Sequence, residues 1–564
     1  MKIIELLIKY IKMKKYSRMF QAGLMMLFML VLASCSGPKS ELTAVPNDAG
    51  FVMVVDGKVL NEKSGVGDIT QTDIYKKALN SFNDEEMADF KQFEYLLKDS
   101  KESGLGINDE FILFVKMENG EPIIGMNFKV LDKSKVDALF EKVIAKEEDG
   151  VKIINEDGLS ILKATNKEAV IIWNEKQLLV YAQVESGSET ILASAKALMS
   201  QSASESISSN TTYTDFYAKK KDVSFWLNYD LFLKNMAPAQ QMMIMSQMPF
   251  SMEGTYFYGY VDFQKGQVVT EYESIMNDEM KDWMKKYQIM NDNFDTDVLK
   301  MLPKNSYANM EFSFSLINYY HLFMDMFKEK QVDTEVYTAR VEKEIGMTID
   351  ELLESFSGEM AITMHGLEMK EKTSMSYGID EETGEFKMEE KTSMQPEVKY
   401  SAVIKFENDK VWNLIETRAA DLGIQKTGDV YSVAQAGVSF TYINNIMVIT
   451  NDSVLMADLI ANGSVEPNLK STDVASYLDQ FPVYLEVDMN LDNYKEELVE
   501  MLKGQGNVMT PELMKNLNIF SRFQVIATSQ TSAKFVLQLK DDSKNSLEVI
   551  INDASKAIGE LSQN

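Results

Sequence analysis

The feature that most constrains this 564-residue chain is that it is written twice. The first half opens VPNDAGFVMVVDGKVL (Val45 to Leu60) and the second opens LPKNSYANMEFSFSLI (Leu302 to Ile317). In both, Pro is followed two residues later by Asp or Asn, then by an apolar-rich strand. Helical patterns come next. In the first half they are ITQTDIYKKALNSF and ADFKQFEYLLKD, the second preceded by Asn83 and Glu86 in capping-box spacing. In the second half they are NYYHLFMDMFKEK and TARVEKEI, with Thr348 and Glu351 in the same spacing before LLESF. EFILFVKM (Glu110 to Met117) then answers EMAITMHG (Glu359 to Gly366), and DKSKVDALFEKV answers NDKVWNLIETRA. The halves stay in step through AVIIWNEKQLLVYAQ and GVSFTYINNIMVITN, DVSFWLNYDLFLKNM and PVYLEVDMNLDNYKEEL, and TYFYGYVDFQKGQVVTEYESI and SRFQVIATSQTSAKFVLQLK. No single pair decides the matter; the unbroken order does.

Two duplicated modules are therefore expected, at about 46–290 and 299–545, with 546–564 as a C-terminal helix or tail. Alternating apolar and polar residues joined by short polar turns predict the α+β class, each module a largely antiparallel sheet with helices packed on one face. Symmetry breaks where the first half turns through Glu118-Asn119-Gly120-Glu121, a hairpin signal. The second half inserts Gly366 to Glu397 there, and Glu371-Lys372-Thr373-Ser374-Met375 recurs as Glu390-Lys391-Thr392-Ser393-Met394. This reads as a long projecting hairpin, either charged and solvated or a contact arm for a partner.

The N-terminus sets the compartment. Lys2, Lys9, Lys12, Lys14, Lys15 and Arg18 precede an uncharged stretch from Met19 to Ser34, the layout of a secretory signal. That stretch is short of the ~20 residues that span a bilayer. It ends Leu32-Ala33-Ser34-Cys35, which resembles the bacterial lipobox, and Cys35 is the chain's only cysteine. Residues 1–34 are read as a lipoprotein signal peptide, Cys35 as the lipidation site, and 35–45 as a tether. Met13 also begins a stretch of normal signal proportions, so either Met1 or Met13 serves as a start. Two or more acyl chains hold a protein stably where one does not, so the expected partner through Cys35 is the membrane. Ser36, where the sorting rule would place Asp for retention, points to the outer membrane; Glu41 alone, where surface export would want an acidic cluster, favours the periplasmic side.

Removing the leader takes the formal net charge from −29 to −34. A surface this acidic excludes nucleic acid, which is bound by neutralising phosphate with Lys and Arg. It also leaves membrane attachment to the acyl anchor, since anionic headgroups repel it.

The lipobox, the opening VPNDAGFVMVVDGKVLNEKSG and the α+β duplication together resemble the Bacteroides-type lipoproteins grouped as domain-of-unknown-function family 4836. The resemblance implies a compartment and an architecture over residues 42–545, and no activity.

Little in the sequence advertises chemistry. His321 and His365 lie in different segments, without HExxH, CxxC or a GxSxG elbow. Ser103 to Asp109 (SGLGIND) has two glycines but leads into a strand, not the helix N-terminus that cradles phosphate. ETGEF and NDNFDTD (Asn291 to Asp297) offer oxygens without calcium-loop spacing. Six methionines between Met236 and Met252 fit a Met-filled core, an adaptable groove or soft copper ligands. No catalytic, cofactor or metal residue is assigned. The expected function is a lipid-anchored, non-enzymatic binding or scaffolding protein of the cell envelope, whose partner is an unknown envelope protein. The alternatives are a carrier of an apolar ligand in a Met/aromatic pocket, or a carboxylate hydrolase.

Overall fold

The computed structural model describes residues 42–66, 100–118, 121–144, 152–163, 169–183, 190–234, 250–329, 332–379, 386–504 and 518–561. Cys35 and its leader, the two helical patterns of the first half, most of the Met-rich stretch and the polar centre of the inserted hairpin lie outside these residues. The chain forms two compact units: Met1–Asp278 together with Asp541–Asn564, and Glu279–Lys540.

In the first unit the described strands are β1 Phe51–Asp56, β2 Glu110–Glu118, β3 Glu121–Lys129, β4 Ile153–Glu156, β5 Leu159–Lys163, β6 Ala169–Trp173, β7 Gln177–Gln183, β8 Val223–Asn228, β9 Tyr256–Gln264 and β10 Gln267–Ile275. All pair antiparallel, in the order β4-β5-β6-β7-β3-β2-β1-β8-β9-β10. Local sequence sets the joints. Asp157 and Gly158 both take positive φ (52° and 78°), as a two-residue turn between β4 and β5 requires. Asp56 ends β1 and caps helix α1 (Gly57–Ser64), its carboxylate accepting the Val59 N–H at 3.2 Å.

Both faces of this sheet are covered, where the sequence suggested one. Val52, Val54, Ile112, Phe114, Tyr181, Trp226 and Tyr258 pack with side chains of α3 (Thr190–Ser200) and α4 (Thr211–Ala218), among them Ile191, Ala195 and Phe216. On the other face Phe111, Met126, Phe128 and Val180 pack with Leu60 of α1, with Val136 and Phe140 of α2 (Lys133–Ile144), and with Leu547 of the C-terminal helix Ser546–Leu561. The reason lies in strands such as Phe111–Val115, apolar at consecutive positions, which place hydrophobic side chains on both faces. The C-terminal helix follows the last strand of the second unit yet belongs to the first. Asn545 Nδ2 donates to the Phe263 carbonyl at 2.8 Å, and the Gly266 N–H donates to Lys544 O at 2.9 Å.

The second unit repeats the plan. Its strands are β11 Ala308–Ser313, β12 Phe356–Ile379, β13 Phe386–Phe406, β14 Gln425–Thr427, β15 Val430–Val433, β16 Val438–Ile443, β17 Ile446–Thr450, β18 Val483–Asp488, β19 Phe520–Ser529 and β20 Ser532–Leu539. They pair antiparallel in the order β14-β15-β16-β17-β13-β12-β11-β18-β19-β20, the order of the first unit advanced by ten. Helix α5 (Asp278–Tyr287) meets α6 (Leu316–Glu329) where Lys286 and Tyr287 bond Asp325 at 2.7 and 2.5 Å; α7 (Glu335–Ile345) follows. Trp412 of α8 (Lys410–Arg418) stacks on Tyr442, centroids 4.7 Å apart, and joins Tyr431 and Phe440. Helices α9 (Ser453–Asn462) and α10 (Val474–Leu478) occupy the chain positions of α3 and α4. Among the described residues no helix is long and apolar enough to cross a membrane.

One close approach tests the packing of the first unit. A Cβ on Gly125 of β3 would lie 2.0 Å from the Phe114 ring of β2. Gly125→Ala is expected to destabilise by about 1–3 kcal/mol through overpacking. Phe114→Leu should recover part of that loss in the double variant, read by urea unfolding. Strictly additive losses would show that the ring does not occupy this space.

Candidate functional site: a polar row and an amphipathic arm

Because the two sheets share order and register, their positions can be matched one for one. In the first unit a row across six strands reads Tyr258, Trp226, Val52, Phe114, Gly125, Tyr181. The same row in the second unit reads Gln524, Glu486, Asn309, Thr363, Ser401, Thr450. Where the first unit's row is apolar, the matched row of the second is polar throughout, and all but Glu486 are buried. In the adjacent row Val54 is matched by Glu311 and Ser224 by Tyr484.

Most of these groups bond one another. Asn309 Nδ2 donates to both Glu311 oxygens at 3.1 Å, Tyr484 Oη donates to Glu486 at 2.5 Å, and Gln524 Nε2 reaches Tyr484 Oη at 2.7 Å and Glu486 at 3.1 Å. Glu311 is 0% exposed. Burial pushes its carboxyl up to about 8; the Asn309 hydrogen bond opposes that and the nearby Glu486 charge adds to it. Thr363 Oγ1 is buried without a hydrogen-bond partner among the described residues.

The end of this row brings together three residue types that the sequence could not connect. Gly366 pairs with Lys399 and Met364 with Tyr400, so His365 is the extra residue of a bulge. Its Nε2 lies 3.0 Å from Ser401 Oγ, and its Nδ1 lies 3.9 Å from Asp452 Oδ2. The composition is that of a hydrolase triad; the chemistry is not. Ser401 is fully buried and its hydroxyl donates to Thr450 Oγ1 at 2.9 Å. Asp452 caps α9 through the Val454 and Leu455 N–H groups and pairs with Lys399 at 3.2 Å, and 3.9 Å exceeds hydrogen-bond reach to the imidazole. Burial holds the His365 pKa below the ordinary imidazole range. The cluster is a polar buttress between β12, β13 and β17.

The other sequence candidates are engaged locally. His321 is half exposed, 3.5 Å from Asp350. In NDNFDTD, Asp295 pairs with Lys405 at 2.7 Å and Asp297 with Lys300 and Lys470. In SGLGIND, Gly104 takes φ 73° and the Gly106 N–H donates to Lys129 O, so the glycines serve a turn into β2. No three metal-ligating side chains converge among the described residues.

The opposite face of the second sheet is covered by Trp412 of α8 at β15–β17 and exposed, among the described residues, at β11 and β12. Met310, Ile362 and Met364, neighbours on β11 and β12, are 41, 44 and 43% exposed. From Gly366 onward β12 and β13 pair only with each other among the described residues, over 14 residues or about 45 Å at ~3.3 Å each. This arm is two-faced. Lys370 and Lys372 pair with Glu397, and Lys399 with Glu368, on one side. The other carries Leu367 opposite Val398 and Met369 opposite Pro396, then Met394 opposite Glu371 and Met375 opposite Glu390, the two methionines 58 and 50% exposed. The charged composition of the insert hid this, because period-two alternation spreads the methionines among charges.

The fold and these surfaces define a two-unit α+β protein built on a repeated ten-strand antiparallel order. The chain belongs to the family described as Domain of unknown function (DUF4836), which matches residues 43–547. No curated protein matches it. Among solved structures it is similar to TP0453 in crystal form III (7% identity, 46% of this chain and 91% of that one, TM-score 0.23) and crystal form I (9%, 47% and 90%, TM-score 0.22). A likeness that distant carries no argument here.

The buried Glu311 makes a pH prediction. Its folded pKa lies above the ordinary 4.5, so the folded state holds a proton the unfolded chain releases. Stability is then full below 4.5 and lost as pH rises toward and through about 8. Glu311→Gln should match the parent Tm near pH 5 and exceed it by several degrees above pH 8. A Tm difference that does not change with pH, followed by differential scanning calorimetry, would sink the assignment.

Proposed function

We propose that this is a lipid-anchored cell-envelope protein that works by contact and not by catalysis. Its two units descend from one ancestral module by duplication, and the second has been re-specialised for binding. The single observation behind this reading is the arm: exposed methionines on a ribbon the first unit lacks, since β2 and β3 there pair as far as Glu118 and Glu121, two residues apart in the chain. Methionine suits a contact surface because its unbranched thioether adapts to different partners. Common descent is supported by the shared strand order and by the matched openings at Val52 and Asn309.

The anchor is Cys35, acylated after cleavage of residues 1–34, and Ser36 favours an outer-membrane position facing the periplasm. The apolar-carrier reading fares less well in the second unit, where the buried row is lined by Asn309, Thr363 and Gln524.

Two measurements test this. Cys35→Ala should move the protein from the detergent-released membrane fraction to the soluble periplasmic fraction; retention in the membrane overturns the anchor. A photocrosslinking residue at Met394 should give discrete adducts in cells, whereas one at Lys58 of the first unit should not. Equal labelling from both sites would remove the arm from the contact.

A further inference from the structure

The arm contains its own two-fold. Its identical pentapeptides lie on opposite strands, and the register sets Thr373 against Thr392, hydroxyl oxygens 3.2 Å apart. Glu371 faces Met394 and Met375 faces Glu390, so a half-turn about the threonine pair carries one repeat onto the other. A segment that pairs antiparallel with its own copy inside one chain has the side chains to pair with that copy in another chain. The same cross-strand pairs, Glu with Met, Lys with Ser and Thr with Thr, would form again.

The rest of the arm suits this. The paired strands, residues 366–379 and 386–399, together carry five acidic residues and five lysines in a chain of net charge −29, while the tip between them adds Asp380, Glu381, Glu382 and Glu385. Along the paired strands a second copy meets balanced charge, where an acidic surface elsewhere would repel it. The ribbon also has open edges, rows of backbone N–H and C=O that invite a further strand. The edges are not equivalent. Both bases are closed, β13 by Asn451, which donates to Val398 O (3.0 Å) and accepts the Tyr400 N–H (2.9 Å), and β12 by Lys495, whose Nζ donates to Leu367 O (3.0 Å); beyond the base, Pro396 leaves β13 without an N–H to offer. From Glu368 to Ile379, β12 has no proline.

We propose that the arm is a homotypic contact. A second copy of this chain adds its β12 edge antiparallel to this one, on a two-fold axis at Thr373, giving a four-stranded ribbon with the methionines on a shared face. The proposal rests on the contact reading of the arm and names its partner. An isologous pairing of this kind closes on itself as a dimer.

Disulfide trapping in intact envelopes tests it with the full chain. Across an antiparallel pair, Cβ atoms at the dyad lie about 4.5–5.5 Å apart, within reach of a disulfide after modest adjustment. Thr373→Cys should give a covalent dimer under mild oxidation, in at least tenfold excess over Thr392→Cys and over the parent, whose Cys35 is acylated. A variant with residues 368–397 replaced by Asn-Gly should keep its circular dichroism and sediment as a monomer where the parent sediments as a dimer. A monomeric parent at all concentrations, trapping at Thr392→Cys in preference to Thr373→Cys, or unchanged dimerisation without the arm would each overturn the proposal. If Met394 photocrosslinks only to other proteins, the homotypic contact fails while the contact function stands.

Discussion

Covering the two faces of a ten-strand antiparallel order is the constraint on which the rest of the structure depends. Strands apolar at consecutive positions, such as Phe111–Val115, leave no face that can stay wet, and hydrophobic burial is worth about 25 cal/mol per Å². The first unit meets this fully. Helices α3 and α4 close one side, and α1, α2 and the C-terminal helix close the other. The chain end returns to supply Leu547 and Ile551, which ties the last residues of the sequence to the first strands.

The second unit solves the same problem differently. One face buries Asn309, Glu311, Thr363 and Ser401, and on the other, beyond the part that Trp412 covers, Met310, Ile362 and Met364 are exposed. Buried polar groups are tolerable only when they bond one another, and the Asn309–Glu311 and Tyr484–Glu486–Gln524 bonds show how that is achieved. The exposed apolar side chains lie on β11 and β12, and β12 runs on into the arm. Redistribution of polarity between two matched sheets is what separates a packed module from one with a surface to offer.

Much of the order of elements was legible. The matched openings, the capping box at Thr348 and Glu351, and the hairpin turn at Asn444-Asn445, with φ 52° and 64°, stand where pattern and turn chemistry put them. The inserted hairpin was legible as a hairpin, because EKTSM repeats on either side of a polar centre. Its two-faced character was not, because period-two alternation spreads the methionines among charges along each strand. Nor could the sequence bring His365, Ser401 and Asp452 together, since they meet only through the pairing of β12 with β13 and β13 with β17.

The sequence by itself determined the antiparallel strands and the turns between them, because alternation and turn residues act over a few neighbours. Which face of ANMEFS is buried was decided only by the tertiary structure. Alternation alone would turn Met310 and Phe312 inward and Asn309 and Glu311 to water; the structure buries Asn309 and Glu311 and leaves Met310 exposed. A strand's pattern fixes that its two faces differ, but the layers that close over the sheet come from residues far along the chain, and they choose the face.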